Sequence, residues 1–308
     1  MITEVELQDR FRGALVGTAV GDALGAPVEG HPHVPRDYVE SIVDNPPNLS
    51  YTDDTAMTLG LAESLVACGR FDGAHMAEIL ADRYRKEPWR GYGAGPPQVF
   101  ADFARGIPWD QAAKRMFGGE GSFGNGAGMR VAPAALYAFP NQHEVAEIAR
   151  QTALITHAHP EGVDGAVMQA VAITVVLGPW SNSPTEITSV LLSHVQTPVF
   201  RSKLTFIDRH IRERPLDEIA EVLGTGIAAH ASVPTALACF LTHSDSFPEA
   251  IKAAISLGGD TDTIAAMTGA LAGANHGYSA IPQPWRAVED AGQLIALADS
   301  LLACHQSE

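Results

Sequence analysis

Basic charge is scarce in this sequence. The 308 residues hold 20 Lys and Arg against 36 Asp and Glu, a formal net charge of −16. A nucleic-acid surface needs a basic footprint, so no nucleic-acid partner is expected. An anionic small ligand is still allowed, because bound cations and helix N-termini can hold phosphates inside an acidic protein. Cysteine is scarce too. Cys68, Cys239 and Cys304 are odd in number, far apart, and form no C-x-x-C. That argues against a disulfide framework and for a reducing compartment. Long hydrophobic runs are missing. The longest, Ala170–Gly178, falls far short of the roughly 18 residues that suggest a membrane span. The acidic start, Met1 to Glu6, has no signal-peptide apolar stretch. The expectation is a soluble, cytoplasmic protein with no membrane partner.

Strand signals are few as well. Only Ala170–Val176 is rich enough in Val and Ile to read as a buried strand, and its helical neighbours argue otherwise. Apolar residues recur at helical spacing over Phe11–Leu24, Thr55–Ala67, Met76–Arg85, Val131–Ala138, Val145–Ile155 and Ala166–Leu177. The pattern continues over Leu216–Val222, Val233–Leu241, Ala250–Ile255, Ile264–Ala274 and Ala287–Leu302. Pro and Gly clusters mark breaks at Asn45-Pro46-Pro47, Gly91–Pro97, Gly118–Gly128, Ser181–Pro184 and Ile281–Pro284. With 46% hydrophobic residues and 29 glycines, the reading is an all-α fold of closely packed helices. No βαβ rhythm and no linker divides the chain, so residues 1–308 are expected to form one domain.

Two acidic clusters stand just before apolar helices. The first is Tyr51-Thr52-Asp53-Asp54-Thr55 and the second is Gly258-Gly259-Asp260-Thr261-Asp262-Thr263. N-capping explains such residues without any function, since Thr and Asp satisfy free N–H groups and suit the helix dipole. A metal site is the other reading. Each cluster carries more carboxylates than a cap requires, and each adds hydroxyls. That all-oxygen set suits hard cations such as Mg²⁺ rather than zinc, and two clusters supply ligands enough for two ions. Spacing alone does not say that residues some 200 positions apart meet.

The densest glycine run, Gly118–Gly128, contains a literal G-x-G-x-x-G. The preceding Trp109–Met116 reads as helix, whereas the dinucleotide motif needs a strand there. What remains is either a loop whose bare N–H groups could cradle a phosphate or an ordinary mobile loop. Arg90–Gly95 has the same ambiguity. Phe117, Phe123 and Tyr92 could stack on a base or ribose, or simply pack. Glu29 follows a helix and becomes interesting if its Gly- and Pro-rich loop forms a lid over a site. Thr156-His157-Ala158-His159 does not put both His on one helix face, so it is no helical zinc pair. No G-x-S-x-G or local cysteine signature supports nucleophilic catalysis.

Together these motifs resemble the ADP-ribosylglycohydrolase family, of the dinitrogenase-reductase-activating glycohydrolase type. The resemblance runs nearly end to end, through Phe11–Leu15, Gly21-Asp22, Tyr51–Met57, Gly124-Asn125-Gly126, Met129-Arg130-Val131, Thr156-His157 and Ser256–Ile264. Arg90–Gly95 and Gly226–Ala229 with Ser232–Ala236 look like the third mammalian type, a branch known for removing ADP-ribose from serine. The resemblance implies an all-α fold with a binuclear Mg²⁺ centre, Mn²⁺ being the alternative ion. The matching ligands are Thr52, Asp53, Asp54, Asp260, Asp262 and Thr263. It implies Glu29 as the loop acid. Substrate contacts fall on Gly91, Gly93, Gly121, Ser122, Phe123, Gly124, Asn125 and His157, with Phe117 and Ile227 near the adenosine end. The branch has Tyr where this chain has Phe123, so stacking survives and one hydroxyl contact, worth about 1 kcal/mol, is lost. Leu191–Arg214 departs from the family pattern.

The implied activity is Mg²⁺-dependent release of ADP-ribose from a protein, with serine as acceptor. O-acetyl-ADP-ribose and poly-ADP-ribose are further candidates. The expected partners are ADP-ribose and ADP-ribosylated proteins, and a monomer is expected. The rival readings are an arginine-directed hydrolase, an inactive ADP-ribose binder, and a phosphohydrolase that would yield AMP.

Overall fold

Thr3 starts the first helix. Its side chain accepts from the Glu6 N–H while Glu6 reaches back to the Thr3 backbone, a reciprocal cap at the N-terminus. The helix, α1 (Glu4–Gly25), is buried at every residue from Gly13 to Gly25. A surface helix hides one stripe, so a helix buried all round must have neighbours on every side.

In this computed structural model, which describes residues 2–44, 46 and 48–305, those neighbours are further helices. They are α2 (Arg36–Asp44), α3 (Asp53–Cys68), α4 (Gly73–Lys86), α5 (Gly95–Ala104), α6 (Trp109–Ala112), α7 (Ala132–Ala138) and α8 (Gln142–Ala153). They continue as α9 (Pro160–Leu177), α10 (Pro184–His194), α11 (Pro198–His210), α12 (Leu216–Leu223), α13 (Ala229–Thr242), α14 (Phe247–Ser256), α15 (Thr261–His276) and α16 (Ala291–His305). Among the described residues there is no strand, only an isolated bridge between Gly124 and Ala228. The all-α expectation holds, and Ala170–Val176 is helix.

The closest packing is between α1 and α15. Gly13 faces Gly273, Gly17 faces Gly269, Gly21 faces Ala265, and Gly25 faces Thr261. As α1 advances by four residues α15 retreats by four, so the helices run antiparallel. A Cβ on any of these four α1 glycines would fall closer than 3.0 Å to a backbone carbonyl of α15. Gly is therefore required by contact here, not by dihedral angle. The pairing brings the C-terminal end of α1 to the N-terminal end of α15.

Around this pair lies one continuous apolar core, joined by α3, α7, α9, α13, α14 and α16. Helix α9 is long and apolar enough to cross a membrane by length and composition, unlike the shorter run seen in the sequence. However, 83% of that window is buried inside the protein.

Four helices were not anticipated: α2, α5, α10 and α11. Three of them carry Pro in the first turn. Proline fits there because the first N–H groups have no intrahelical partner, so residues taken as breaks at Gly91–Pro97 and Ser181–Pro184 begin helices instead. The expected helix from Ala287 starts only at Ala291. Residues 283–287 form a 3₁₀ turn, and Asp290 is left-handed with φ 55°. Trp109–Met116 is a short helix with a 3₁₀ turn after it. Of the break at Asn45-Pro46-Pro47, only Pro46 is among the described residues.

The glycine seam makes a direct prediction. Gly17→Ala should destabilise the chain by about 1–3 kcal/mol, the usual penalty for overpacking. Gly292→Ala, in open space on α16, should be neutral or stabilising by up to about 1 kcal/mol. Urea denaturation of the two variants gives the comparison.

Candidate active site and metal centre

Asp22 is the one acid in the buried stretch of α1. It docks on the N-terminus of α3. Its carboxylate accepts the Thr52 N–H at 2.9 and 3.1 Å, the Thr55 N–H at 3.0 Å and the Thr55 hydroxyl at 2.6 Å. The free N–H groups and the positive dipole end of α3 supply the attraction. Arg90 holds the same segment from the other side. Its guanidinium donates to the Tyr51 carbonyl at 2.9 Å, and its own carbonyl accepts the Asp53 N–H at 2.7 Å. Glu87 and Glu289 anchor the guanidinium, which lies 4.1 Å from the Tyr51 ring centroid. With its backbone so fixed, Thr52 is the N-cap of α3, while Asp53 and Asp54 serve no cap.

The second cluster is seated by Gly258 and Gly259, whose φ angles of 74° and 78° favour glycine. Gly258 lies against residues 31–33 and Gly259 against Thr225. The Gly259 N–H donates to the His31 carbonyl at 2.6 Å, and the Gly30 N–H donates to the Gly259 carbonyl at 2.8 Å. This reciprocal pair joins the Glu29 loop to the Asp260 loop. Asp260 is the N-cap residue of α15 but makes no side-chain cap bond. Oxygens of Glu29, Asp260 and Asp262 all lie within 4.8 Å of one another.

Asp53, Asp54, Asp260, Asp262 and Thr263 are buried, whereas Glu29 is exposed at the mouth. Crowding raises their affinity for protons. Burial, then the Asp262 charge, pushes Asp22 up to about 7 against the pull of its hydrogen bonds. Burial and Asp260 push Asp262 to about 7. Asp53 and Asp54 rise well above the usual range through burial and then the charges of Asp22 and Asp262. Glu29 is raised by Asp262 first and by its partial burial second. The donor set is carboxylates and threonine hydroxyls, with no Cys or His, which fits a hard cation. Asp54 Oδ1 is buried without a hydrogen-bond partner, and such an oxygen is unsatisfied unless something else is bound.

The glycine loop lies against the same place. The Asn125 N–H donates to the Ile227 carbonyl at 3.0 Å and the Ala229 N–H to the Phe123 carbonyl at 2.9 Å. The Asn125 amide donates to Asp260 and to Ser232, tying the loop to the acidic cluster. Gly121 lies against Ala158 and His159, and the Ser122 hydroxyl accepts the Gly124 N–H at 3.2 Å. His157 lies under Gly124 and Gly126. Its imidazole is buried and bonded to the Thr156 hydroxyl, and burial followed by the Arg130 charge lowers its pKa to about 3, so it is neutral. Phe123 is 49% exposed, with its ring 6.4 Å from His230 in a stacked arrangement. Among the described residues, the N–H groups of Ser122 and Phe123 carry no protein hydrogen bond.

The structure thus brings together Glu29, both acidic clusters, Gly121 to Asn125, His157 and Ile227. Gly91 joins them: a Cβ there would sit 3.7 Å from Asp53 Oδ1. A Cβ at Gly93 would point into open space. Phe117 and Ile227 are exposed at the loop edges, and Phe117 has φ 50°. Asp22, Arg90 and Arg130 were not singled out as organisers. Arg130 is fully buried and donates to the carbonyls of Gly126 and Thr152, bracing the glycine loop. The signal for Asp22 was a lone acid among small residues in an apolar helix.

A sequence model described as ADP-ribosylglycohydrolase matches residues 3–308. The chain belongs to the ADP-ribosylglycohydrolase family. It is therefore a hydrolase of the glycosidase type that acts on ADP-ribosyl compounds. It is 38% identical to the ADP-ribosylhydrolase ARH3 of Mus musculus, over 90% of this chain and 86% of that one. It is 30% identical to the ADP-ribosylarginine hydrolase Tri1 of Serratia proteamaculans, over 92% and 76% respectively. A solved structure titled ADP-ribosylglycohydrolase-related protein complex superposes with a TM-score of 0.79 at 31% identity, covering 97% of this chain and 99% of that one.

Two outcomes follow from this geometry. At pH 8, where the Asp22 carboxyl is ionised, Asp22→Asn replaces an acceptor-only group with one that turns a donor toward the Thr52 or Thr55 N–H. It should destabilise the fold by about 1.5–3 kcal/mol in urea. The second outcome concerns pH. The folded carboxyls titrate near 7 for Asp22 and Asp262, above their unfolded value of 3.8, so the metal-free fold binds more protons than the unfolded chain. Their stabilising contribution is full below about pH 4 and is lost as pH rises toward 7. A divalent cation held by the cluster would replace those protons. The rise in melting temperature on adding Mg²⁺ should therefore grow between pH 5 and pH 7.5, as read by calorimetry.

Proposed function

We propose that the chain releases ADP-ribose from ADP-ribosylated serine in a reaction that depends on two Mg²⁺ ions. The observation that carries this reading is the convergence of Glu29 with Asp260 and Asp262 within 4.8 Å, at the edge of the glycine loop. Thr52, Asp53, Asp54, Asp260, Asp262 and Thr263 would hold the cations. When bound, such ions act as Lewis acids that orient hydroxyls and stabilise developing charge.

The chain's own groups supply the rest. The free N–H groups of Ser122 and Phe123 receive the pyrophosphate, which lets an acidic protein bind an anion without a basic patch. Phe123, Phe117 and Ile227 offer apolar surface for the adenosine. His157, held neutral, supports the loop. Glu29 sits where the acceptor leaves. As the bond from C1″ to the acceptor oxygen breaks, the electron pair stays on that oxygen and Glu29 protonates it. Water then adds to C1″ and returns a proton to Glu29. The transition state is oxocarbenium-like.

Serine is favoured as acceptor by the higher identity to the ARH3 relatives than to the arginine-directed one. The similarity of Arg90–Gly95 and Gly226–Ala229 to the serine-directed branch points the same way. The deciding assay offers matched serine- and arginine-ADP-ribosylated peptides with Mg²⁺ or EDTA and identifies the product. Free ADP-ribose from serine, absent in EDTA, is expected. Release from arginine alone would overturn the acceptor, and AMP would overturn the bond. Asp262→Ala should abolish turnover and weaken Mg²⁺ binding. Glu29→Gln should lower kcat by ~10²–10⁴-fold while ADP-ribose still binds.

A further inference from the structure

A cleft of about 510 Å³ opens beside Glu29 and Thr52 and runs along Gly91 to Trp89, Glu87 and Glu289. None of the glycine-loop residues lines it. Resting on the reading above, the ADP-ribosyl half of the substrate lies on the glycine loop and the bond to be cut lies at Glu29. The other half must leave through this cleft.

Its walls have a definite chemistry. Trp89 is 72% exposed, although an indole is ordinarily among the more buried side chains. Glu87 and Glu289 both pair with the one guanidinium of Arg90, which leaves a net negative charge beside the indole. Arg90 itself is buried and held in place by three carboxylate contacts and three contacts with backbone groups. The floor is therefore fixed, and the indole is the group left uncovered. A ring face next to uncompensated carboxylate suits a cation, through cation–π attraction and Coulomb attraction together.

We propose that Trp89, with Glu87 and Glu289, is the docking surface for the polypeptide that carries the modification, and that it selects sequences with Lys or Arg next to the modified residue. Trp89 touches no reacting atom in this assignment; it sets acceptor preference.

The test uses two peptides of equal length, with the central serine flanked by lysines or by glutamates. Unmodified peptides are first titrated against the whole protein while tryptophan emission is read. A saturable shift with the lysine peptide is expected. It should weaken with salt, be absent with the glutamate peptide, and be absent in Trp89→Ala. Equal shifts with both peptides, or a shift that survives in Trp89→Ala, would overturn the proposal. The ADP-ribosylated forms are then assayed beside methyl α-ADP-riboside, which has no polypeptide. Trp89→Ala should raise KM for the lysine peptide ~3- to 30-fold with kcat retained, and Trp89→Phe should recover part of the loss. An equal rise for the methyl riboside would mean a structural role and would also overturn it. If the unaltered protein cleaves neither compound, the hydrolase reading fails, and the peptide titration still decides the docking surface.

Discussion

Two helices touch backbone to backbone at the centre of this molecule, and the site depends on that contact. Four glycines of α1 face Gly273, Gly269, Ala265 and Thr261 of α15 in antiparallel register. Such contact leaves little freedom to slide. A shift of one residue would drive a Cβ into a carbonyl, because the tolerated faces recur only every four residues. The register therefore fixes which ends meet. The end of α1 that carries Asp22 and leads to Glu29 lies against the start of α15, which carries Asp260 and Asp262. Asp22 then reaches to the start of α3 and brings Asp53 and Asp54 with it. Three chain segments far apart in sequence converge through one packing constraint and one carboxylate.

That convergence is electrostatically unfavourable for the empty protein. Buried carboxylates repel and resist ionisation. Among the described residues no direct ion pair relieves this. Arg130 lies near enough to Asp53 for their charges to interact, but its hydrogen bonds go to the carbonyls of Gly126 and Thr152 and to the sulfur of Met57. Arg90 gives its charge to Glu87 and Glu289. The N-termini of α3 and α15 point positive dipole ends at the cluster, a partial compensation of a few tenths to about 1 kcal/mol each. The remaining oxygens, Asp54 Oδ1 among them, stay available to a cation. A salt bridge to any of them would make a more stable empty protein and a poorer metal site.

Much of this was legible in the sequence, and the limits are physical. Apolar residues at helical spacing gave most helices, because buried stripes follow the 3.6-residue period. They did not give α5 and α10, whose first turns hold prolines that also read as breaks, nor α2 and α11. The acid-rich clusters stood out because they exceed what a cap uses, and Asp260 indeed makes no cap bond. The meeting of the clusters came only from family resemblance. Its physical cause was nonetheless present in the four-residue spacing of Gly13, Gly17, Gly21 and Gly25. That spacing has no partner until Gly269 and Gly273 are known to face it. Asp22 was hidden for a related reason: a single acid in a helix means little until the helix end it caps is known.

Glu29 is the acid of the proposed mechanism, and its loop shows how it is placed. Its Gly- and Pro-rich surroundings suggested a lid. In the structure its loop is joined to the second cluster on both sides of Gly259, through the Gly30 N–H and the His31 carbonyl, and the Val34 N–H donates to the Ser256 carbonyl at 3.1 Å. Gly258 packs directly on residues 31–33. A displacement of one segment carries the other or breaks these backbone hydrogen bonds. The backbone that carries Glu29 is thus tied to the backbone that carries Asp260. On the proposed reading, an acid on a loop tied in this way would be placed by the second cluster, while the proposed acceptor side around Trp89 is built from different residues.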